Sequence, residues 1–331
     1  MRAIVIQRHG STEVFEDIEI ADPQPRPGYV IVDVKATSVN PVDTKIREGS
    51  EGTQGLTFPA ILHFDVAGIV RSVGAGVTKF RPGDKVYGSA GGVVGIPGAL
   101  ADQMEADADL LAHMPSSLSF GEAAAVPLVG ITAWEALVGR ARITPRSNVL
   151  IQGGTGGVGH IAVQIARAMG ARVTAAVSTP EKGDVARGLG AEEIILYPSE
   201  APEEAVQRIT AGEGFDIVFD TVGGSSLQSA LKLAKMKGHV VTIIGYDTYD
   251  LTDMHFKALR LDLVFMPIQL IHNVDRHEHG DILRRLAELI DAGAVTPLID
   301  SRHPFTVAGA RSAHERVESG KAIGKVVIER G

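Results

Sequence analysis

The chain changes texture about a third of the way along. In residues 1 to about 120, apolar and polar positions alternate over short stretches. Val30, Val32, Val34 and Ala36 interleave with Ile31, Asp33 and Lys35, the period of a strand with one face buried. Breaks come at the Pro23, Pro25, Pro27 cluster, at Pro82-Gly83-Asp84 and in the small-residue run from Gly88 to Gly98, so this part is expected to be all-β and loop-rich. After Phe120, helical patterns alternate with β-branched runs at Val149-Leu150-Ile151, Arg172 to Val177, Ile194-Ile195-Leu196, Phe215 to Phe219, Val240 to Ile244 and Leu261 to Phe265. That alternation predicts parallel strands joined by crossover helices, an α/β doubly wound sheet. Val158, Ile161, Ala162, Ile165 and Met169, and again Ile282, Leu286, Leu289 and Ile290, have helical spacing and mark two core-facing stripes. From about 294 to 331 the pattern returns to strands and a short helix, expected to pack on the first half.

At 331 residues the chain is long enough for two domains. Its 44% hydrophobic and 22% charged residues are ordinary for a globular protein, and no apolar run approaches a membrane span. Net charge −8 and a pI near 5.8 disfavour nucleic acid and anionic membrane as partners. With no cysteine, disulfides, thiol nucleophiles, Cys-ligated zinc and iron–sulfur clusters are excluded. The apolar run at the N-terminus ends at Gln7 and is too short for a signal peptide, so a cytoplasmic location and a first strand are expected. The 38 glycines exceed the usual share of about 7%, and one group of them carries chemistry.

Gly154-Thr155-Gly156-Gly157-Val158-Gly159 has the form G-x-G-x-x-G. Alone this is a weak signal. Placed between the strand at 149–152 and the apolar-striped helix beginning near 157, it describes a turn whose glycines let backbone amides approach a diphosphate at a helix N-terminus. The residue closing the next strand selects the dinucleotide, since an acid there takes the ribose hydroxyls of NAD and repels a 2′-phosphate. That position is Ser178, followed by Thr179 and Lys182. Two hydroxyls and a cation suit a phosphate; Arg187 is a weaker candidate.

Asn40-Pro41-Val42-Asp43-Thr44-Lys45, Asp65-Val66-Ala67-Gly68-Ile69-Val70, Gly83-Asp84-Lys85-Val86, Ala123-Ala124-Ala125-Val126-Pro127-Leu128, Thr132-Ala133-Trp134, the loop 154–159 and Asp220-Thr221-Val222-Gly223-Gly224 together resemble the zinc-independent, zeta-crystallin-like quinone oxidoreductases of the medium-chain dehydrogenase/reductase superfamily. The resemblance runs in order along essentially the whole chain. It implies a GroES-like substrate domain from residues 1–121 and 294–331, a Rossmann dinucleotide-binding domain from 122–293, NADPH as cofactor, and a homodimer through the last strand near 261–265, whose apolar edge invites pairing. It also implies that Lys182 and Tyr197 flank the adenosine 2′-phosphate, that Asn40 and Thr132 lie by the nicotinamide, and that Gly324 and Lys325 belong to the cofactor site. Val222, Gly223 and Gly245 are placed at strand ends on the cofactor side, where small residues admit the dinucleotide. Thr132 is expected to open the helix carrying Trp134.

The resemblance also bears on metal. Zinc-dependent relatives have a cysteine where this chain has Asp43, and Gly-His-Glu where it has His63-Phe64-Asp65, so no metal is expected. The other set of possible ligands, His272, Asp275, His277, Glu278, His279 and Asp281, lacks a known ligand spacing and is expected to be a polar loop. His63 is either packed or cleft-lining, and not catalytic. Hydride transfer to a quinone or α,β-unsaturated carbonyl puts negative charge on the substrate oxygen, and hydrogen-bond donors must meet it. Asn40 is the first candidate, or else it merely shapes an Asn-Pro turn. Some relatives have a tyrosine in place of Lys45, which can serve as acid or electrophile only if buried. Two other readings remain: a non-catalytic NADPH-binding structural or sensing protein, with RNA contacts disfavoured by charge, and a zinc alcohol dehydrogenase.

Overall fold

The computed structural model describes residues 1–50 and 55–331. They form two compact units, Met1–Ile131 with Pro267–Gly293 and Pro297–Gly331, and Thr132–Met266 with Ala294–Thr296. The chain opens with strands β1 (Arg2–Ile6), β2 (Phe15–Glu19) and β3 (Tyr29–Val39), helix α1 (Pro41–Glu48), and strands β4 (Ala60–Ile61), β5 (Asp65–Val73), β6 (Lys85–Ser89), β7 (Gln103–Asp107) and β8 (Leu111–His113). Helices α2 (Phe120–Ala124) and α3 (Pro127–Trp134) follow. Among its described residues the expected all-β segment therefore contains an α-helix, α1, besides the short 3-10 turns Thr12–Val14 and Ala108–Leu110; the Asn-Pro pair starts α1, with Pro41 in its first turn, where a missing N–H costs nothing.

The second unit carries β9 (Asn148–Gln152), α4 (Gly157–Ala168), β10 (Arg172–Val177), α5 (Pro180–Leu189), β11 (Glu193–Leu196), α6 (Pro202–Thr210), β12 (Phe215–Asp220), α7 (Ser225–Leu233), β13 (Ala234–Thr242), α8 (Thr252–Lys257) and β14 (Arg260–Leu263). Its six strands lie in the order β11-β10-β9-β12-β13-β14, and every pair is parallel. This is the doubly wound order, with the direction of winding changing between β9 and β12. Each strand predicted from a β-branched run is present, and the stripe residues Ile161, Ala162 and Ile165 of α4 are fully buried.

The chain then returns to the first unit through α9 (Ile268–His272), α10 (His277–Asp291), β15 (Ile299–Pro304), α11 (Val307–Glu318) and β16 (Lys325–Glu329). As expected, the tail joins the first half: β16 runs antiparallel to β3 with Val326 opposite Val39. A seven-stranded sheet has the path β15-β16-β3-β5-β6-β8, with β7 also on β3. The units divide differently from the expected 122–293, because residues 122–131 and 267–293 belong to the first. Helix α10 buries Leu286 and Ile290 of the predicted stripe but Leu283 in place of the half-buried Ile282 and Leu289; the helix packs on β6 and β8, and the buried Tyr87 hydroxyl donates to the Leu283 carbonyl at 2.6 Å. A helical period reveals a buried face without saying which sheet it meets. His277, Glu278, His279 and Asp281 are thus helical and not a loop. Among the described residues no helix is long and apolar enough to cross a membrane.

Candidate functional site

The glycine loop leaves the C-terminal end of β9. Gly153 has φ +70°, and the amides of Gly153 and Gly154 both donate to the Ala176 carbonyl of β10, at 3.1 and 3.2 Å. A Cβ on Gly154 would stand 2.7 Å from that of Ala175, and one on Gly159 would collide with the Gly153 carbonyl. These two glycines let the turn fold down on its own sheet. Gly156 differs. Its φ is −74°, it caps α4, and a Cβ there would meet only the Gly153 oxygen, at 3.3 Å. The first hydrogen bond of α4 runs from His160 N–H to the Gly156 carbonyl, so the amides of Gly157, Val158 and Gly159 precede it. They stand at the positive end of a 12-residue helix, which favours an anion. The loop has the form a diphosphate requires.

Val177 of β10 pairs with Leu196 of β11, so Ser178 and Tyr197 are the next residues on neighbouring strand ends. The Tyr197 amide donates back to the Val177 carbonyl at 3.3 Å, and its ring is 60% exposed. Thr179 caps α5 and accepts the Lys182 amide at 3.3 Å. Lys182 is half-buried, and its ammonium has no ion-pair partner among the described residues. The exposed Glu181 and Asp184 lie on the same helix. Parallel pairing thus sets Ser178 beside Tyr197, two of the residues proposed for the 2′-phosphate, and Lys182 follows Ser178 in the first turn of α5.

At the ends of β12 and β13, the buried Asp220 accepts the amides of Val222 (3.1 Å) and Gly223 (3.0 Å) and the Thr242 hydroxyl (2.8 Å), which shapes the turn after β12. Val222 is 53% exposed. The two glycines placed here from sequence answer to their protein neighbours: a Cβ on Gly223, φ +81°, would lie 2.6 Å from Ile244, and one on Gly245 would strike Leu263. Gln152, which sequence reasoning passed over, ends β9 with its Nε2 donating to the Ser226 carbonyl at 3.1 Å and its buried Oε1 unpartnered.

The residues of the first unit make a different constellation. Asn40 precedes α1 and is 1% exposed. Its amide N–H donates to Asp43 Oδ2 at 2.7 Å, the helix-start geometry that the three-residue spacing allows. Its side chain turns inward: Nδ2 donates to Asp65 Oδ2 at 2.8 Å, and Oδ1 accepts the Lys325 ammonium in a very short contact. Lys325 also donates to the Val39 carbonyl at 3.0 Å and stands 3.8 Å from Asp65. Asp65 further accepts the Ser38 hydroxyl (2.6 Å) and the Leu128 amide (2.8 Å). Asp43, Asp65 and Lys325 are all buried, two carboxyls against one ammonium. Asp65 has three donors, whereas Asp43 Oδ1 has none, so the proton belongs on Asp43, whose carboxyl burial pushes up to about 7. Burial also lowers Lys325. Asp43 and Asp65 were not singled out as functional; the signal available was an acid in the apolar run Phe64 to Val70.

His63 has a left-handed backbone, φ 78°, and a buried ring. Arg47 Nη1 donates to His314 Nδ1 (3.2 Å), and Thr37 Oγ1 donates to the Asp65 carbonyl (2.6 Å). These two ends assign the ring tautomers between them. His314 Nε2–H donates to His63 Nε2 (2.9 Å), and His63 Nδ1–H donates to Thr37 Oγ1 (3.3 Å). Both rings are neutral. Burial pushes His63 down to about 3, helped by the Lys325 charge, and lowers His314, beside His63 and Arg47. His63 is packed, the first of its two expected roles.

The remaining candidates divide. Thr132 is buried, but it lies inside α3, which begins at Pro127. It does not open the helix, because the apolar run Pro127 to Ile131 is already helical. Lys45 is half-buried in α1, short of the burial its proposed role requires. Gly324, φ +78°, is held close to Leu298, whose carbonyl a Cβ would strike. No group of histidines and acids with metal-holding geometry is present among the described residues.

The Alcohol dehydrogenase GroES-like domain family matches residues 26–116, and the Zinc-binding dehydrogenase family matches residues 157–269. The chain is 31% identical over 334 residues to the NADPH-dependent alkenal/one oxidoreductase, chloroplastic, of Arabidopsis thaliana, covering 99% of this chain and 79% of that protein. Among solved structures, an alcohol dehydrogenase superfamily protein from Novosphingobium aromaticivorans superposes with TM-score 0.94 at 38% identity over 100% of both chains. The Escherichia coli quinone oxidoreductase complexed with NADPH gives 0.87 at 28% identity, covering 99% of this chain and 100% of that one. The paired domains, the parallel-sheet order and these full-length matches have one reading: the chain belongs to the medium-chain dehydrogenase/reductase superfamily, in its quinone-oxidoreductase-like branch.

Proposed function

We propose that the protein is an NADPH-dependent reductase of quinones or α,β-unsaturated carbonyls that works without zinc. The observation that carries this is Ser178 and Tyr197 side by side after two paired strands, with Lys182 in the first turn of the helix that follows Ser178 and no acid closing β10. Bound NADPH supplies the hydride. The amides of Gly157, Val158 and Gly159 hold its diphosphate, and Lys182 with Ser178 and Tyr197 holds the 2′-phosphate. Asn40 uses the Nδ2 hydrogen not spent on Asp65 to meet negative charge on the substrate oxygen.

The residues at positions 43, 64 and 65 do not fit the zinc that the matched family's description implies. Phe64 has no lone pair. Both Asp65 oxygens already accept hydrogen bonds, with the Lys325 ammonium 3.8 Å away. Of the three positions only Asp43 offers an oxygen without a hydrogen bond, and a zinc site needs about three to four free N, S or O donors.

NADPH oxidation should be measurable with 1,2-naphthoquinone or methyl vinyl ketone as acceptor. If NADPH raises the Tm while no such acceptor is reduced, the binding-only reading takes its place. Lys182→Ala should weaken NADPH about 10- to 100-fold, the size of a lost charged hydrogen bond, and NADH by less than about threefold. Equal loss for both would remove the phosphate assignment.

The same reading pairs two copies through β14, a parallel-sheet edge with Leu263 and Phe265 each 54% exposed. Leu263→Lys should shift sedimentation from dimer to monomer; an unchanged mass would place the contact elsewhere.

A further inference from the structure

We propose that Lys325 and Asp65 are positioning residues that lock the side-chain amide of Asn40 in one orientation, and that Lys325 does not bind the cofactor. The proposal rests on the reading of Asn40 as the donor to the substrate oxygen. The two ends of a carboxamide are nearly the same shape, so packing alone does not choose between its two orientations; its hydrogen-bond partners do. Here the choice is made by charge. Asn40 Oδ1 faces the Lys325 ammonium, and Nδ2 faces Asp65 at 2.8 Å. A flip would aim the NH2 group at a cation and the oxygen at a carboxylate, inside a dry cluster where mismatched polar groups are most costly.

Every other contact tightens this arrangement. Lys325 is fixed by the Val39 carbonyl at the end of β3, one residue before Asn40, and it reaches that place because β16 pairs with β3 through Val326 and Val39. Asp65 is held by the Ser38 hydroxyl and the Leu128 amide. The Asn40 backbone is held by Asp43. One Nδ2 hydrogen is spent on Asp65, which leaves the second with a fixed direction. Burying an ammonium is expensive, and a methionine would fill the same volume; what a methionine cannot do is hold Oδ1. Two of its three ammonium hydrogens are donated to Asn40 and Val39, and the side chain is only 3% exposed, so Lys325 presents no accessible charge to a cofactor phosphate.

The test is Lys325→Met. We expect kcat with 1,2-naphthoquinone to fall about 10- to 100-fold, with the KM for NADPH changed less than threefold, and Lys325→Arg to recover part of the loss. Unchanged kcat would overturn the proposal. So would a raised KM for NADPH at unchanged kcat, which would return Lys325 to the cofactor. A second readout does not depend on turnover. The Asn40 side-chain amide signals in a ¹⁵N–¹H spectrum, assigned by their absence in Asn40→Asp, should shift and exchange faster with solvent in Lys325→Met. Signals identical to those of the unmodified protein would overturn the proposal even if no acceptor is ever found, so its failure is separable from that of the reductase reading. Should Lys325→Met not fold, Asp65→Asn removes the other charge and is expected to move the same signals.

Discussion

Acidification from pH 7 to pH 4 should narrow the stability gap between the protein and its His63→Asn variant by several kcal/mol. His63 is neutral in the folded protein and pushed down to about 3, against an ordinary value near 6.5 in the unfolded chain. Between those values the unfolded state binds the extra proton, so stability is lost as pH falls from about 6.5 towards 3, by at most about 5 kcal/mol at 1.36 kcal/mol per unit. Asn tolerates the left-handed backbone at this position and does not titrate. The variant should therefore be less stable at pH 7, where the hydrogen bonds to His314 and Thr37 are missing, and lose little more on acidification. Asp43 works in the opposite direction. Its carboxyl is pushed up to about 7, so the folded state holds the extra proton and stability rises as pH falls from about 7 to 4. The two contributions offset each other in the unmodified protein, which is why the prediction concerns the difference between two proteins. Urea unfolding at pH 7, 6, 5 and 4 measures it, and a gap that does not vary with pH would show that His63 is not the proton acceptor.

Gly156→Val should remove most NADPH binding, with at least a tenfold rise in Kd, while the Tm without cofactor falls by only a few degrees. The local geometry separates this glycine from its neighbours. At Gly154 and Gly159 a side chain would run into Ala175 or the Gly153 carbonyl, and substitution there should lower stability whether or not cofactor is present. At Gly156 the backbone is in a region open to any residue, and a Cβ would meet only one oxygen at 3.3 Å. The fold has no need of a glycine there beyond a modest capping preference, whereas a diphosphate lying on the amides of residues 157–159 has no room for a valine. Isothermal titration beside thermal melts of Gly156→Val and Gly159→Val checks this. Equal losses of Tm would make the glycines purely structural.

Local patterns served well wherever the deciding interactions were local. Period-2 and period-3.6 spacing, the glycine turn between a strand and a helix, and Ser178 at a strand end each involve residues close in the chain, and the structure contains every one of those elements. Reasoning failed where distant segments meet. The stripe on α10 was visible, but not that it covers β6 and β8 through Tyr87. Nor does anything in the chain show Ile244 and Leu263 packed against Gly223 and Gly245, a demand for glycine that stands beside the cofactor role expected of them.

The amino-acid order therefore settles the alternation of elements, the glycine turn between β9 and α4, and the family, since each depends on short-range spacing and on backbone freedom at a few glycines. Where Lys325 points was decided only in three dimensions. Its ammonium meets Asn40 and Asp65 because β16, from the far end of the chain, aligns beside β3, and sheet register depends on packing between strands that no local window contains. His314, on α11, likewise reaches His63 across 251 positions, a contact no local window contains.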